Sequence, residues 1–349
     1  MNRNKKLTRI LSIDGGGIRG ILPGQVLVAL ENKLRLRTGN PDARLADFFD
    51  LLAGTSTGGI LTCLLLTPST EVPSRPRFGA EEAVALYLQN GSAIFDVPLW
   101  HGLRTVRGIL NARYPAKAIE SVIQGYLGDL KLSELVKPCL ITSYDVQRCR
   151  PKFFTQHNAL EGLKRGNLGH DFYVREVARA TSAAPTYFPA ANVTSLSGVH
   201  YPLIDGGIFA NNPTLCAYAE ARQMDFGEEK IHPNAADMLI LSLGTGNNST
   251  SYEYQKIRNW GIAEWIQPLI DMMMNGVSQT VDYQLRQMYD AVGTPHQYIR
   301  IDPIFGDAKP SMDDASEQNL KALAAAGIET AEIHDATLDR VVDMLIANA

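Results

Sequence analysis

The stretch FFDLLAGTSTGGILTCLLL, residues 48–66, carries one apolar run into a glycine-framed turn and out again into a second. Residues 48–53 have the composition of a short buried strand, and residues 59–66 that of a helix surrounded by apolar neighbours. Between them Gly54-Thr55-Ser56-Thr57-Gly58 matches G-x-S-x-G, the turn that lifts a serine hydroxyl out of a strand-to-helix elbow. The same punctuation occurs earlier in the chain. Residues 7–13 read as a strand, Asp14-Gly15-Gly16-Gly17-Ile18-Arg19-Gly20 as a glycine turn, and residues 21–36 as a helix with Val26, Leu27, Leu30 and Leu34 at helical spacing.

Working outward, strands are expected at 138–145, 201–207 and 238–246, and helices at 80–89, 117–126 and 174–181. Strands that alternate with helices up to about residue 246 predict an α/β fold, a three-layer sandwich with a mainly parallel central sheet covered on both faces. Past Ser249 the pattern turns helical over 260–274, 277–289 and 318–346, with one short strand candidate at 298–301. The organisation expected is therefore an α/β domain over 1–250 and a helical C-terminal extension over 251–349 packed on it. Residues 95–114, with Pro98, Trp100, Arg104, Arg107 and Arg113, fit no element.

A serine hydroxyl needs a neighbouring base, and Asp205 in Asp205-Gly206-Gly207 is the strongest candidate, a carboxylate on a glycine turn at a strand end. Partial burial would raise its pKa and make it a more competent base. The competing arrangement is a Ser-Asp-His triad, for which the chain after Asp205 offers His232, His296 and His334. None sits in a recognisable catalytic turn, and the two-residue arrangement is favoured. Asn211-Asn212-Pro213 is read as support for the Asp-Gly-Gly turn through side-chain hydrogen bonds.

The first glycine cluster has two readings. Gly15, Gly17 and Gly20 satisfy G-x-G-x-x-G, the dinucleotide fingerprint, but the acidic residue expected about 20 positions on falls in a polar turn over 35–44 with no strand before it. The better account is an oxyanion hole, with the Gly16 and Gly17 N–H groups facing the anion and Arg19 helping. Each motif alone also has a plainer reading: a helix-capping turn for Gly54 to Gly58, a strand-to-strand turn for Asp205. Their coincidence shifts the balance toward chemistry.

Composition narrows the classes. The chain has 349 residues, 45% hydrophobic and 20% charged, with a formal net charge of −4, so no polyanion-binding surface and no nucleic-acid polymer is expected as partner. Cys63, Cys139, Cys149 and Cys216 form no C-x-x-C, and read as reduced thiols of a cytosolic protein without a metal site. The apolar run after the basic N-terminus stops at Asp14, too early for a signal peptide, and residues 51–66 fall short of a membrane span. Membrane contact is therefore expected to be peripheral. Trp260, Trp265, Ile266, Leu269, Ile270 and Met272 to Met274 form an apolar stripe, read first as core or as a contact between two copies, with a lipid-facing lid as the alternative.

Three ordered motifs, the Asp14 to Gly20 cluster, Gly54 to Gly58 and Asp205-Gly206-Gly207, resemble the patatin-like phospholipases over approximately residues 7–246. Ala180-Thr181-Ser182-Ala183-Ala184-Pro185-Thr186-Tyr187-Phe188-Pro189 looks like that family's block ahead of the aspartate. The resemblance implies a Ser–Asp dyad hydrolase of fatty acyl esters that works through an acyl-enzyme without a cofactor. It assigns attack to Ser56, base catalysis to Asp205, the oxyanion hole to Gly15, Gly16, Gly17 and Arg19, and turn geometry to Gly54, Gly58, Gly206 and Gly207. Membrane phospholipid is the implied substrate, met at the inner membrane. Some bacterial relatives look like anti-phage effectors switched on by a cyclic dinucleotide, a switch to be sought in residues 104–113 and the helical tail. A nucleotide-binding module built on Gly15 to Gly20, and a catalytically silent storage or scaffold protein, are the alternatives from other classes.

Overall fold

In a computed structural model, which describes residues 6–95, 112–227, 230–247 and 251–349, eight strands join one sheet. They are β1 Thr8–Ile13, β2 Leu51–Gly54, β3 Cys139–Asp145, β4 Arg150–Thr155, β5 Ala191–Thr194, β6 His200–Asp205, β7 Met238–Leu243 and β8 Tyr298–Ile301. β8, β7, β1, β2 and β3 run parallel in that order, whereas β4 and β6 pair antiparallel with β3, and β5 antiparallel with β6. The sheet is thus mixed α/β with a mostly parallel centre.

Both faces are covered, which is why β1 and β7 are buried at every residue rather than at alternate ones. Ile10, Leu51, Leu140 and Ile240 point into one layer, with Ala217 and Tyr218 of the helix Thr214–Ala221 and Leu285 and Tyr289 of the helix Ile262–Ala291. Leu11, Ile13, Leu52, Leu241 and Leu243 point into the other, larger layer, which includes the helices Ile21–Thr38, Thr57–Leu65 and Glu317–Ile333.

One pairing detail positions the site. β4 occupies one edge of β3 from Leu140 to Asp145, so β2 and β6 must share the other. β2 ends where Gly54 meets Ile141, and β6, running the opposite way, ends where Asp205 meets Ser143. The two strand ends converge over Thr142. The turn leaving Gly54 and the carboxylate of Asp205 are thereby brought face to face.

Several expected elements have other bounds. Residues 48 and 49 precede β2, because Leu45–Phe48 closes a helical turn and the strand begins at Leu51. The helices expected over 260–274 and 277–289 are one helix, Ile262–Ala291, with Pro268 inside it; burial of its second half outweighs the one hydrogen bond that proline removes. The helix expected over 318–346 breaks at His334 into Glu317–Ile333 and Asp335–Ala347. β4 and β5 have no sequence signal. Arg150-Pro151-Lys152 lacks strand alternation, and the hairpin with β3 forms it through tertiary pairing.

After residue 250 the chain stays integral to the sheet. β8 adds a parallel strand, Asn348 Oδ1 accepts the Leu7 N–H at 2.8 Å, and the Met312 carbonyl accepts the Ile18 N–H at 2.9 Å. Among the described residues no helix is long and apolar enough to cross a membrane. Of residues 104–113, only Ala112 and Arg113 lie within the described residues.

Candidate active site

Ser56 stands between β2 and the helix Thr57–Leu65 with φ 54° and ψ −121°, a backbone conformation that side chains rarely take and that persists only where the surroundings enforce it. The enforcement comes from close packing. A Cβ on Gly54 would lie 2.2 Å from the Gly58 carbonyl oxygen, and one on Gly58 would lie 2.2 Å from that of Ile13. Both obstacles are backbone and cannot turn away. Gly58→Ala is therefore expected to cost about 3 kcal/mol or more as an overpacked site, with loss of the folded protein's elbow; a urea melt with an unchanged midpoint would contradict this.

Asp205 and Ser56 are tied to one segment. The Ser56 N–H donates to Thr181 Oγ1 at 2.8 Å, and the Asp205 N–H donates to the Ala183 carbonyl at 3.0 Å. The block Ala180 to Pro189 thus holds both residues, and Thr181 is a site residue that motif reading did not single out. Thr55 closes the base of the site, its hydroxyl 2.7 Å from Thr142 Oγ1 and donating to the Ala210 carbonyl at 2.6 Å.

Asp205 is 4% exposed and Ser56 7%. The carboxylate accepts the Gly207 N–H on Oδ1 at 2.7 Å, and the Ser56 hydroxyl favours its ionised form. Burial pushes the Asp205 carboxyl up to about 7; the Ser56 and Gly207 bonds pull against burial without cancelling it. A carboxylate at that value is suited to accept a proton near neutral pH.

The glycine loop is clamped so that only part of it is open. The Gly15 N–H is taken by the Asn211 carbonyl at 3.0 Å and that of Ile18 by Met312, while Thr245 Oγ1 donates to the Gly15 carbonyl at 2.7 Å. Gly16 and Gly17 are the residues of the cluster whose amides make no hydrogen bond among the described residues, and Gly17 takes φ +61°. Arg19 does not face the same way. Its Nε donates to the Gly16 carbonyl at 3.2 Å and its Nη1 to that of Pro310 at 3.5 Å, so it braces the loop from behind.

Behind the loop lies a buried ion pair absent from any motif. Arg300 of β8 donates to Asp14 Oδ1 at 2.8 Å and Oδ2 at 2.7 Å, and to Ser242 Oγ at 2.9 Å. Burial pushes the Asp14 carboxyl up while the guanidinium pulls it down, and the bidentate geometry favours the ionised pair. An arginine inside a four-residue buried strand was the only sequence signal, since such a cation needs a partner. The Asn211 and Asn212 side chains go elsewhere than the Asp-Gly-Gly turn: Asn211 Nδ2 donates to Ser278 Oγ at 3.1 Å, and Asn212 Oδ1 accepts the Thr214 N–H at 3.0 Å.

From Ser56 and Asp205 a narrow cleft runs between the helices Ala80–Ile94, Ala116–Leu127 and Ile262–Ala291, with Ile60, Leu86, Ile123, Phe188, Ile270 and Met274 among its walls. Part of the apolar stripe therefore borders the cleft rather than the core. Ile270, Met273 and Met274 border the cleft, while Ile262, Ile266 and Leu269 of the same helix are exposed. Among the described residues no histidine lines the cleft.

Fold and cleft together define a class: α/β proteins that seat an apolar chain beside an elbow serine, the layout of lipid acyl hydrolases. Comparison with known proteins narrows it. A family model described as patatin-like phospholipase matches residues 11–218. The chain is similar to Patatin-like protein 2 of Arabidopsis thaliana, 38% identical over 93% of this chain and 82% of that protein. It is similar to Patatin-like protein 2 of Oryza sativa subsp. indica, 33% identical over 92% of this chain and 83% of that one. A third relative, Probable inactive patatin-3-Kuras 1 of Solanum tuberosum, is 32% identical over 92% of this chain and 86% of its own length. The chain belongs to the patatin-like phospholipase family. These relatives are plant proteins, not the bacterial effectors to which the sequence resemblance extended.

Proposed function

We propose that the protein is a serine lipid acyl hydrolase of the phospholipase A or lysophospholipase type that cleaves fatty acyl esters of membrane phospholipids through a Ser56–Asp205 dyad. The observation that carries this reading is that Ser56 and the buried Asp205 carboxylate line one apolar cleft, with the hydroxyl acting on the carboxylate. Asp205 takes the hydroxyl proton as Ser56 Oγ attacks the ester carbonyl. The Gly16 and Gly17 amides receive the developing oxyanion, the proton passes to the leaving alcohol, and water then releases the fatty acid from the acyl-enzyme. One relative's name marks it as inactive, so membership of the family does not by itself carry activity; the paired serine and carboxylate support it here.

Exposed Ile262, Ile266 and Leu269, on the helix whose Ile270 and Met274 line the cleft, support peripheral contact with a lipid surface. The test is labelling by a fluorophosphonate with peptide mapping, run beside fatty acid release from phosphatidylcholine vesicles. Adduct confined to Ser56, and release lost in Ser56→Ala, is the expected result. Labelling elsewhere, or release that survives Ser56→Ala, defeats the reading.

Because Asp205 must be ionised to act as base, kcat/KM on a soluble ester is expected to rise with pH, through a single proton loss near pH 7, to a plateau. A profile flat from pH 5 to pH 8 would exclude Asp205 as that base. Activation by a cyclic dinucleotide is a separable claim with no supporting observation among the described residues. Release measured with and without cyclic dinucleotides decides it. Nor is the Gly15 to Gly20 loop favoured as a nucleotide site, since the Gly15 and Ile18 amides are already engaged.

A further inference from the structure

Asn211 is 4% exposed, and the fold treats the two ends of its carboxamide differently. Asp14, held by Arg300, can only accept hydrogen bonds, so Ser278 Oγ, 3.2 Å from Asp14 Oδ2, must donate to it. That leaves the Ser278 oxygen to accept from Asn211 Nδ2 at 3.1 Å. The orientation of the amide is thus set from the charged end of the chain, and Oδ1 is the end that faces the site.

Asn211 Oδ1 is buried without a partner. It lies 2.5 Å from the point that a Cβ on Gly15 would take, with Ser56 Cβ 3.2 Å from the same point. It lies 3.3 Å from the corresponding point on Gly207, with Asp205 Oδ1 3.1 Å away. An unmet acceptor therefore stands beside both Ser56 and Asp205. Buried carbonyls of this kind are normally met by a protein donor or an ordered water. On its other side Asn211 lines a polar cavity of about 250 Å³ with Thr245, Asn247, Asn275 and Gln279, which has room and partners for several waters. The apolar cleft is the place of the acyl chain, so water needs this second approach.

We propose that Asn211 Oδ1 and the Asp205 carboxylate together bind the water that hydrolyses the acyl-enzyme, and that the polar cavity supplies it. This rests on the Ser56–Asp205 reading above. The water oxygen attacks the acyl carbonyl carbon and one of its protons passes to Asp205, while its other O–H stays hydrogen-bonded to Asn211 Oδ1. As the tetrahedral intermediate collapses, the bond from carbon to Ser56 Oγ breaks, Asp205 returns the proton to Ser56, and the fatty acid leaves. Acylation uses no water, so Asn211 acts in the second half-reaction alone.

Stopped-flow hydrolysis of p-nitrophenyl butyrate by the full chain separates the two phases. Asn211→Ala is expected to keep the nitrophenol burst within about threefold of the wild-type acylation rate and to slow turnover at least about tenfold, with butyryl-Ser56 accumulating in the intact mass. Ser278→Ala, which removes the hydroxyl that orients the amide and donates to Asp14, is expected to shift the same ratio in the same direction by less, and carries the test if Asn211→Ala does not fold. Burst and turnover falling together, or turnover unchanged in both variants, overturns the water site. A wild-type protein that hydrolyses the ester with Ser56→Ala equally active would overturn the dyad reading instead.

Discussion

Asp205→Asn is expected to lower acylation by on the order of 10⁴-fold and, in the same protein, to raise the melting temperature at pH 8. The carboxamide oxygen can still accept the Gly207 N–H that Oδ1 accepts at 2.7 Å, so the turn keeps its shape. Its NH₂ cannot take the Ser56 proton. The stability gain arises because the carboxyl is raised from 3.8 to about 7 in the folded chain. Between those values the folded state binds more protons than the unfolded state, so stability falls as pH rises through that window and the full penalty stands above about pH 7. At 1.36 kcal/mol for each pKa unit the penalty is on the order of 4 kcal/mol. Melting curves of variant and wild type should separate at pH 8 and converge near pH 4. Equal acylation rates would remove Asp205 as the base, and a variant less stable at pH 8 would mean that the buried carboxylate is not a strained group.

Arg300→Met carries the second large effect, about 3–5 kcal/mol of destabilisation, because it leaves a buried carboxylate without its counter-charge. The side chains are 7% and 2% exposed for Arg300 and Asp14, and Ser278 is the other side-chain donor to Asp14. Activity should fall as well, since Asp14 leads directly into Gly15 and orients Ser278 against Asn211. Asp14→Leu combined with Arg300→Met is expected to recover much of the stability, as apolar replacements of buried pairs often do, and none of the activity. Urea midpoints of the two single variants and the double variant make the cycle. A loss below about 1 kcal/mol in Arg300→Met would place the pair among ion pairs of little consequence.

The elbow was legible because its requirements are local: glycines at 54 and 58, a serine between them, a strand composition before and a helix composition after. The Asp205 turn was legible for the same reason, and so were the strand at 298–301 and the helix at 174–181, found at those bounds. β4 was not, since Arg150-Pro151-Lys152 becomes strand only when β3 offers an edge. Nor was the Arg300–Asp14 pair, because a lone arginine in a short strand names no partner. Arg19, expected to help at the oxyanion, looks the other way because Gly16 and Pro310 offer it carbonyls. The Gly15 amide is occupied by Asn211, a contact that no spacing in the glycine cluster encodes.

The sequence by itself determined the kinds of element, the two glycine turns and the residues able to do chemistry, because periodicity, glycine freedom and functional groups are properties of short stretches. Only the tertiary structure decided that β2 and β6 meet end to end over Thr142, that burial lifts the Asp205 carboxyl to about 7, and that the Gly16 and Gly17 amides make no hydrogen bond among the described residues. Those are outcomes of strand pairing and desolvation between segments far apart in the chain, and such forces act only once the sheet has formed.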